Sequence, residues 1–142
     1  MEQNYSNHPR IVKPFHGLLF LLLLVGLAGS VVNLVKSRGS DNLYSASLLV
    51  LLFVICTLIS WYTRSFPLKA QDRAIRAEEN LRYFILTGKP LPEDLKMGQI
   101  VALRFAPDEE FPGLTERCIR ENLSGKEIKM AIKNWKPDLY RV

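Results

Sequence analysis

Few side chains in this sequence are of a type that does chemistry, and those few are scattered. His8 and His16 have no cysteine or second histidine at metal-ligand spacing, so the pattern does not suit zinc. Cys118 stands at helical spacing from Phe111 and Leu114, which suits a core thiol better than a nucleophile. Cys56 falls in an apolar run on a different element, and two reduced thiols are expected rather than a bridge. Asp108-Glu109-Glu110 forms a run of carboxylates, but its place just before a helix suits the positive end of the helix dipole. No glycine-rich phosphate loop, serine elbow or HExxH box is present in the sequence. The expectation is a non-enzymatic protein with no catalytic residue, no metal and no cofactor.

The most suggestive surface feature is a stripe of lysines. Lys126, Lys129, Lys133 and Lys136 recur at helical spacing, displaced by about 130° from Ile128, Ala131, Ile132 and Trp135 at about 100° per residue. Such a stripe can hold anionic lipid headgroups, at about 1 kcal/mol per basic residue near the surface. It equally suits an acidic protein partner, a nucleic acid or plain solvent. Two helices meeting near Asn122-Leu123-Ser124 have the outline of a helix-turn-helix, which is also the ordinary way to fold a small bundle. From Arg64 onward there are 15 Lys and Arg against 12 Asp and Glu. That mild excess argues against nucleic acid and is compatible with a membrane surface.

The elements that must carry these residues divide into two unlike halves. Residues 15–35 and 43–62 are two long apolar runs separated by the polar patch Lys36-Ser37-Arg38-Gly39-Ser40-Asp41-Asn42. Each is about the ~20 residues a helix needs to cross a bilayer. The short loop between them predicts antiparallel neighbours, hence a transmembrane helical hairpin over residues 15–62. Within the first run, Gly26, Ser30 and Asn33 are spaced to share one helix face, where small and polar residues favour close packing. Neither span holds Asp, Glu, Lys, Arg or a central His, the groups an ion path or proton relay uses. Residues 1–14 read as a flexible arm, and the first span as an uncleaved anchor. Arg10 and Lys13 before the first span, and Arg64, Lys69, Arg73 and Arg76 after the second, outweigh Lys36 and Arg38 in the loop. Both termini are therefore expected on the cytoplasmic side.

Residues 63–142 read as a cytoplasmic bundle of about four short helices. The first is expected over 68–87, broken from the span at Pro67 and stopped by Gly88 with Pro90 beyond. Ala74, Ala77, Leu81, Phe84 and Ile85 form its apolar stripe, and Asp72–Arg76 and Glu78–Arg82 are i,i+4 pairs. A second helix is expected over 97–105 and a third after Pro107, starting near Phe111 or with an irregular first turn at Pro112. The fourth begins at Ser124 with a capping box closed by Glu127 and runs to Pro137, with the tail 138–142 folding back. Arg73, Arg76, Glu78, Glu79, Arg82 and Arg104 are the candidate structural ion pairs joining the helices.

Five stretches carry a resemblance. They are Gln71-Asp72-Arg73-Ala74-Ile75-Arg76-Ala77-Glu78-Glu79-Asn80-Leu81-Arg82, Leu86-Thr87-Gly88-Lys89-Pro90-Leu91, Gln99-Ile100-Val101-Ala102-Leu103-Arg104-Phe105, Asp108-Glu109-Glu110-Phe111 and Lys129-Met130-Ala131-Ile132-Lys133-Asn134-Trp135. With the apolar hairpin before them, the chain resembles a family of small two-span bacterial membrane proteins of unknown function. The resemblance implies a bacterial inner-membrane setting and imports no activity or catalytic residue. The functional expectation is a membrane-anchored interaction module, an accessory subunit of a larger complex, with the bilayer and a protein partner or second copy as its contacts. The alternatives are a membrane-tethered nucleic-acid-binding regulator and an enzyme at the membrane surface.

Overall fold

The computed structural model describes residues 4–5 and 12–138. The expected N-terminal arm, with His8 and Arg10, therefore falls largely outside the described residues, as does the tail 139–142. The protein is all-α, with five α-helices and no strand among the described residues. A π-helical turn, Pro14–Leu19, leads into α1, Phe20–Lys36. The others are α2, Leu43–Thr87; α3, Met97–Leu103; α4, Phe111–Glu121; and α5, Gly125–Ala131. The segments Pro14–Lys36 and Leu43–Thr87 are long and apolar enough to cross a membrane. Contacts divide the chain into two units, one of Arg10–Phe66 and one holding Pro67–Val142.

In the first unit the two apolar helices meet along small residues. Gly26 is the close approach: the Phe53 ring occupies the space a Cβ would need. Ser30 and Ala46 are buried, and the Ser30 hydroxyl donates to the Leu27 carbonyl at 2.8 Å, so it leaves no polar atom facing the seam unsatisfied. Asn33 is exposed, although at ~100° per residue it lies about 20° from the direction of Gly26; Leu34, about 40° beyond Ser30 on the other side, is half-buried. Away from the seam, Phe20, Leu21, Leu24 and Val25 on α1 and Leu51, Leu52, Leu58 and Ile59 on α2 are exposed.

The expected break at Pro67 is absent, because α2 continues through it. Proline removes one amide donor from a helix, and a helix of 45 residues retains its ladder on both sides. The stop falls at Gly88, whose φ of 71° is left-handed backbone that glycine takes at least cost.

In the second unit, α3, α4 and α5 pack with the last part of α2 around Ile100, Leu103, Phe105, Phe111, Cys118 and Ile128, all with no measurable exposure. Helix α4 starts at Phe111 with Pro112 in its first turn, where a missing N–H costs nothing. It ends at Asn122, which is left-handed at φ 47° and donates back into the last turn. Ser124 and Glu127 then form the expected capping box of α5. Gly125 lets α5 lie directly on α3, since a Cβ there would stand 2.9 Å from the Gly98 carbonyl oxygen.

One face and one helix end differ from expectation. The stripe Ala74, Ala77, Leu81, Phe84 and Ile85 is exposed, while the buried face of that helix holds Ile75, Glu79 and Tyr83. Helix α5 also stops at Ala131, six residues before Pro137, and Ile132 is extended. Trp135 therefore leaves the helix and stacks on Phe105, with ring centroids 4.7 Å apart.

Candidate functional site

The buried and half-buried polar side chains of the second unit help to hold it together. Arg82, on the buried side of α2, is the hub. Its Nε donates to Asp108 Oδ1 at 2.7 Å, Nη1 to Glu79 Oε2 at 3.0 Å and Nη2 to the Ala106 carbonyl at 2.7 Å. Its guanidinium also lies over the Phe111 ring, 4.4 Å from the centroid. A planar, permanently charged fork suits such a crossing point better than an ammonium would.

Glu110 fixes the strap that follows α5. Its carboxylate accepts the backbone amides of Lys133 and Asn134 and the Asn134 side-chain amide, each at 2.9 Å. Burial works to raise the Glu110 pKa, but those three hydrogen bonds and the Lys133 charge outweigh it and hold the carboxyl below its ordinary range. Further along the strap, the Lys136 amide donates to the Phe105 carbonyl at 2.8 Å, and Asp138 pairs with Arg104 at 3.1 Å.

Between α2 and this strap lies a cleft of about 450 Å³, lined by Gln71, Ile75, Glu79, Arg104, Lys136 and Asp138 among others. Burial pushes the Glu79 carboxyl above the ordinary glutamate range; the charge and hydrogen bond of Arg82 and the charge of Lys136 oppose the rise, and Glu78 adds to it. The cleft carries both signs of charge. Within its wall Arg104 is paired with Asp138, and Glu79 with Arg82 behind it.

Of the six residues named as structural ion pairs, Glu79, Arg82 and Arg104 take that part. The i,i+4 pairs Asp72–Arg76 and Glu78–Arg82 are not made: Arg82 turns to Glu79 instead. Arg73, Arg76 and Glu78 are exposed and form no ion pair among the described residues. The carboxylate run does not cap α4 through its side chains, since Asp108 is drawn to Arg82 and Glu110 to the strap.

The lysine stripe is not one surface. Lys126 and Lys129 belong to α5, whereas Lys133 and Lys136 follow its end. Lys129 Nζ sits 5.6 Å from the Phe105 centroid, and Lys136 lines the charged cleft. The reason is Glu110, which takes the amides a longer helix would have pointed at its own carbonyls.

Cys118 is fully buried in α4, and burial pushes its thiol up; Cys56 is half-buried in α2, and both are free. No cluster of three metal-ligating side chains occurs among the described residues. Part of the accessible surface is apolar. On the last four turns of α2, Leu81, Phe84 and Ile85 are 60%, 54% and 72% exposed, a degree usual for charged residues rather than for the middle of a packed unit.

The sequence did not reveal the Arg82–Asp108 contact, the Glu110 clamp or the Arg104–Asp138 pair. Each joins positions more than twenty residues apart, and no local pattern marks them.

Residues 1–142 match the family described as a family of unknown function, DUF6526, and the chain belongs to that family. No curated protein and no solved structure matches the chain.

Proposed function

We propose, for this member of a family without an assigned activity, a non-enzymatic, membrane-anchored interaction module. In this reading α1 and the first half of α2 form a transmembrane hairpin. The helices from residue 67 onward form a small cytoplasmic bundle at the bacterial inner membrane, with both termini on the cytoplasmic side. The part it plays is that of an accessory subunit presenting a helical surface to a protein partner.

The observation that carries this reading is where apolar surface stays uncovered. On α1 and the first half of α2, large aliphatic side chains point outward all around the pair except at the Gly26–Phe53 seam. Lipid is the solvent that makes such a surface cheap, because an outward Leu costs nothing there. In the second unit Arg82, Asp108 and Glu110 are engaged in structural links, and the exposed side of α2 carries an apolar stripe flanked by Arg73 and Glu78. A free apolar helix face suits binding better than chemistry.

The test is extraction and sidedness of the full chain in its host membranes. The protein stays with membranes through an alkaline carbonate wash and leaves only with detergent. Protease added to intact spheroplasts spares residues 67–138, and protease added to inverted vesicles cuts them. Release at high pH without detergent, or cleavage from the outside, defeats the reading.

A further inference from the structure

The exposed stripe of α2 has a stricter period than a core-facing helix needs. Ala70, Ala74, Ala77, Leu81 and Phe84 follow one another at spacings of four and three, the seam of a two-stranded coiled coil, and all five are exposed. The residues beside that seam are complementary to themselves. Arg73 takes the position before one turn of the seam, and Glu78, five residues later, takes the position that meets it across a parallel pair. Both are exposed, and neither has an ion-pair partner among the described residues. Asn80 and Ile85 stand in the same five-residue relation. Beside Asn80 lies an open cleft of about 440 Å³ whose apolar wall is Ala77, Pro90, Leu91 and Pro92 and whose rim carries Arg73, Arg76 and Glu93, and Ile85 is the most exposed of the large apolar side chains on this stretch.

From this we infer that the occupant of the stripe is a second copy of the chain, paired in parallel through residues 70–85 of α2. Arg73 faces the partner's Glu78 twice about the two-fold axis, and the Ile85 side chain of each copy enters the cleft beside the other's Asn80. The inference rests on the membrane-anchored reading in one respect: copies inserted in one bilayer with the same sidedness are related by a two-fold axis along its normal, and helices that follow that axis run in the same direction. That is the direction the Arg73–Glu78 spacing requires. Small residues near the start of the seam and large ones near its end make the contact tightest at Ala74 and Ala77.

The experiment uses the full chain in membrane vesicles with Cys56→Ser and Cys118→Ala and one cysteine introduced at a time. Under mild oxidation, Ala74→Cys, Ala77→Cys and Leu81→Cys give at least tenfold more disulfide dimer than Arg76→Cys and Leu86→Cys, which lie off the seam. Arg73→Glu or Glu78→Arg alone weakens the dimer roughly tenfold, and the two together restore it. A flat cross-linking profile, or a double variant no better than the singles, overturns the inference, as does quenching of a dye at Leu81→Cys by labelled lipid. Should the cysteine-free background fail to accumulate, the mass of the native chain in detergent decides: a dimer that Arg73→Glu converts to monomer supports the inference, and a monomeric native chain overturns it. Membrane partition is scored on the same samples. A chain that partitions but does not cross-link defeats the dimer alone, and a chain that needs no detergent defeats the anchoring.

Discussion

Arg82 reaches across 26 positions of sequence to place its Nε 2.7 Å from Asp108 Oδ1. The contact ties the end of the long helix to the turn before α4. Asp108 is the exposed partner, so Arg82 matters chiefly for what it satisfies on its buried side: Glu79 and the Ala106 carbonyl. Arg82→Ala leaves both without their donor and is expected to cost about 2–4 kcal/mol. Arg82→Lys recovers only part of this, because an ammonium cannot serve three directions from one plane. Urea unfolding of the full chain in detergent, followed by Trp135 fluorescence, gives the values. Equal stability of Arg82→Ala and the native chain would remove Arg82 from the scheme.

Glu79 has the opposite sign. Its folded pKa is raised, so its carboxyl favours folding most below the ordinary value of 4.5, and that contribution is lost as pH rises through the folded pKa. At neutral pH the buried charge is a burden that Arg82 offsets incompletely. Glu79→Gln is therefore expected to leave neutral-pH stability unchanged or slightly higher, and to flatten its pH dependence above pH 4.5. Stability curves of the two proteins from pH 4 to 8 make the comparison. A clear loss at pH 7 in the variant would contradict it.

Glu110 titrates the other way again. Its folded pKa is depressed, so its contribution is present above the ordinary value of 4.5 and disappears as pH falls through the lower folded value. Glu110→Ala is expected to cost about 1–2 kcal/mol, since the three hydrogen bonds are exposed ones. The amides of Lys133 and Asn134 should exchange with solvent about tenfold faster in the variant, with α3 little affected. Unchanged exchange at those two amides would mean that the strap is held by Trp135, Lys136 and Asp138 without Glu110.

At the seam of the first unit, Gly26→Leu places a side chain where the Phe53 ring lies. Overpacking of this kind costs about 1–3 kcal/mol. Phe53→Ala in the same chain should recover much of the loss, and heating in detergent with a helix-content readout measures both. Additive effects of the two substitutions would place the helices further apart than they stand.

Gly125→Ala tests the contact between α5 and α3. The added methyl meets a backbone oxygen at 2.9 Å, an atom that cannot swing away as a side chain would. About 1–3 kcal/mol is expected to be lost, although alanine is the better helix former. A gain in stability would show that α5 shifts freely on α3.

Much of the fold was legible in advance because it is written locally. Two runs of apolar residues specify two long helices whatever surrounds them. Gly88 ends α2 through its own backbone freedom, and Ser124 with Glu127 starts α5 within four residues. Pro67 was a misleading local sign, since one missing donor does not outweigh the helix on either side of it. The faces were harder. Periodicity shows that Ala74, Ala77, Leu81 and Phe84 share a side of a helix, but not whether this unit covers that side.

The sequence by itself therefore determined the helices, most of their ends and the two apolar runs, because hydrogen bonding within a helix and hydropathy are properties of neighbours in the chain. Only the tertiary structure decided that Glu79 and Tyr83 go inward, that Leu81 and Ile85 stay out, and that α5 stops at Ala131. Those outcomes turn on Arg82 meeting Asp108 and on Glu110 taking the amides of Lys133 and Asn134. They are competitions between groups far apart in sequence, and they are settled only once the chain has brought those groups within hydrogen-bonding reach.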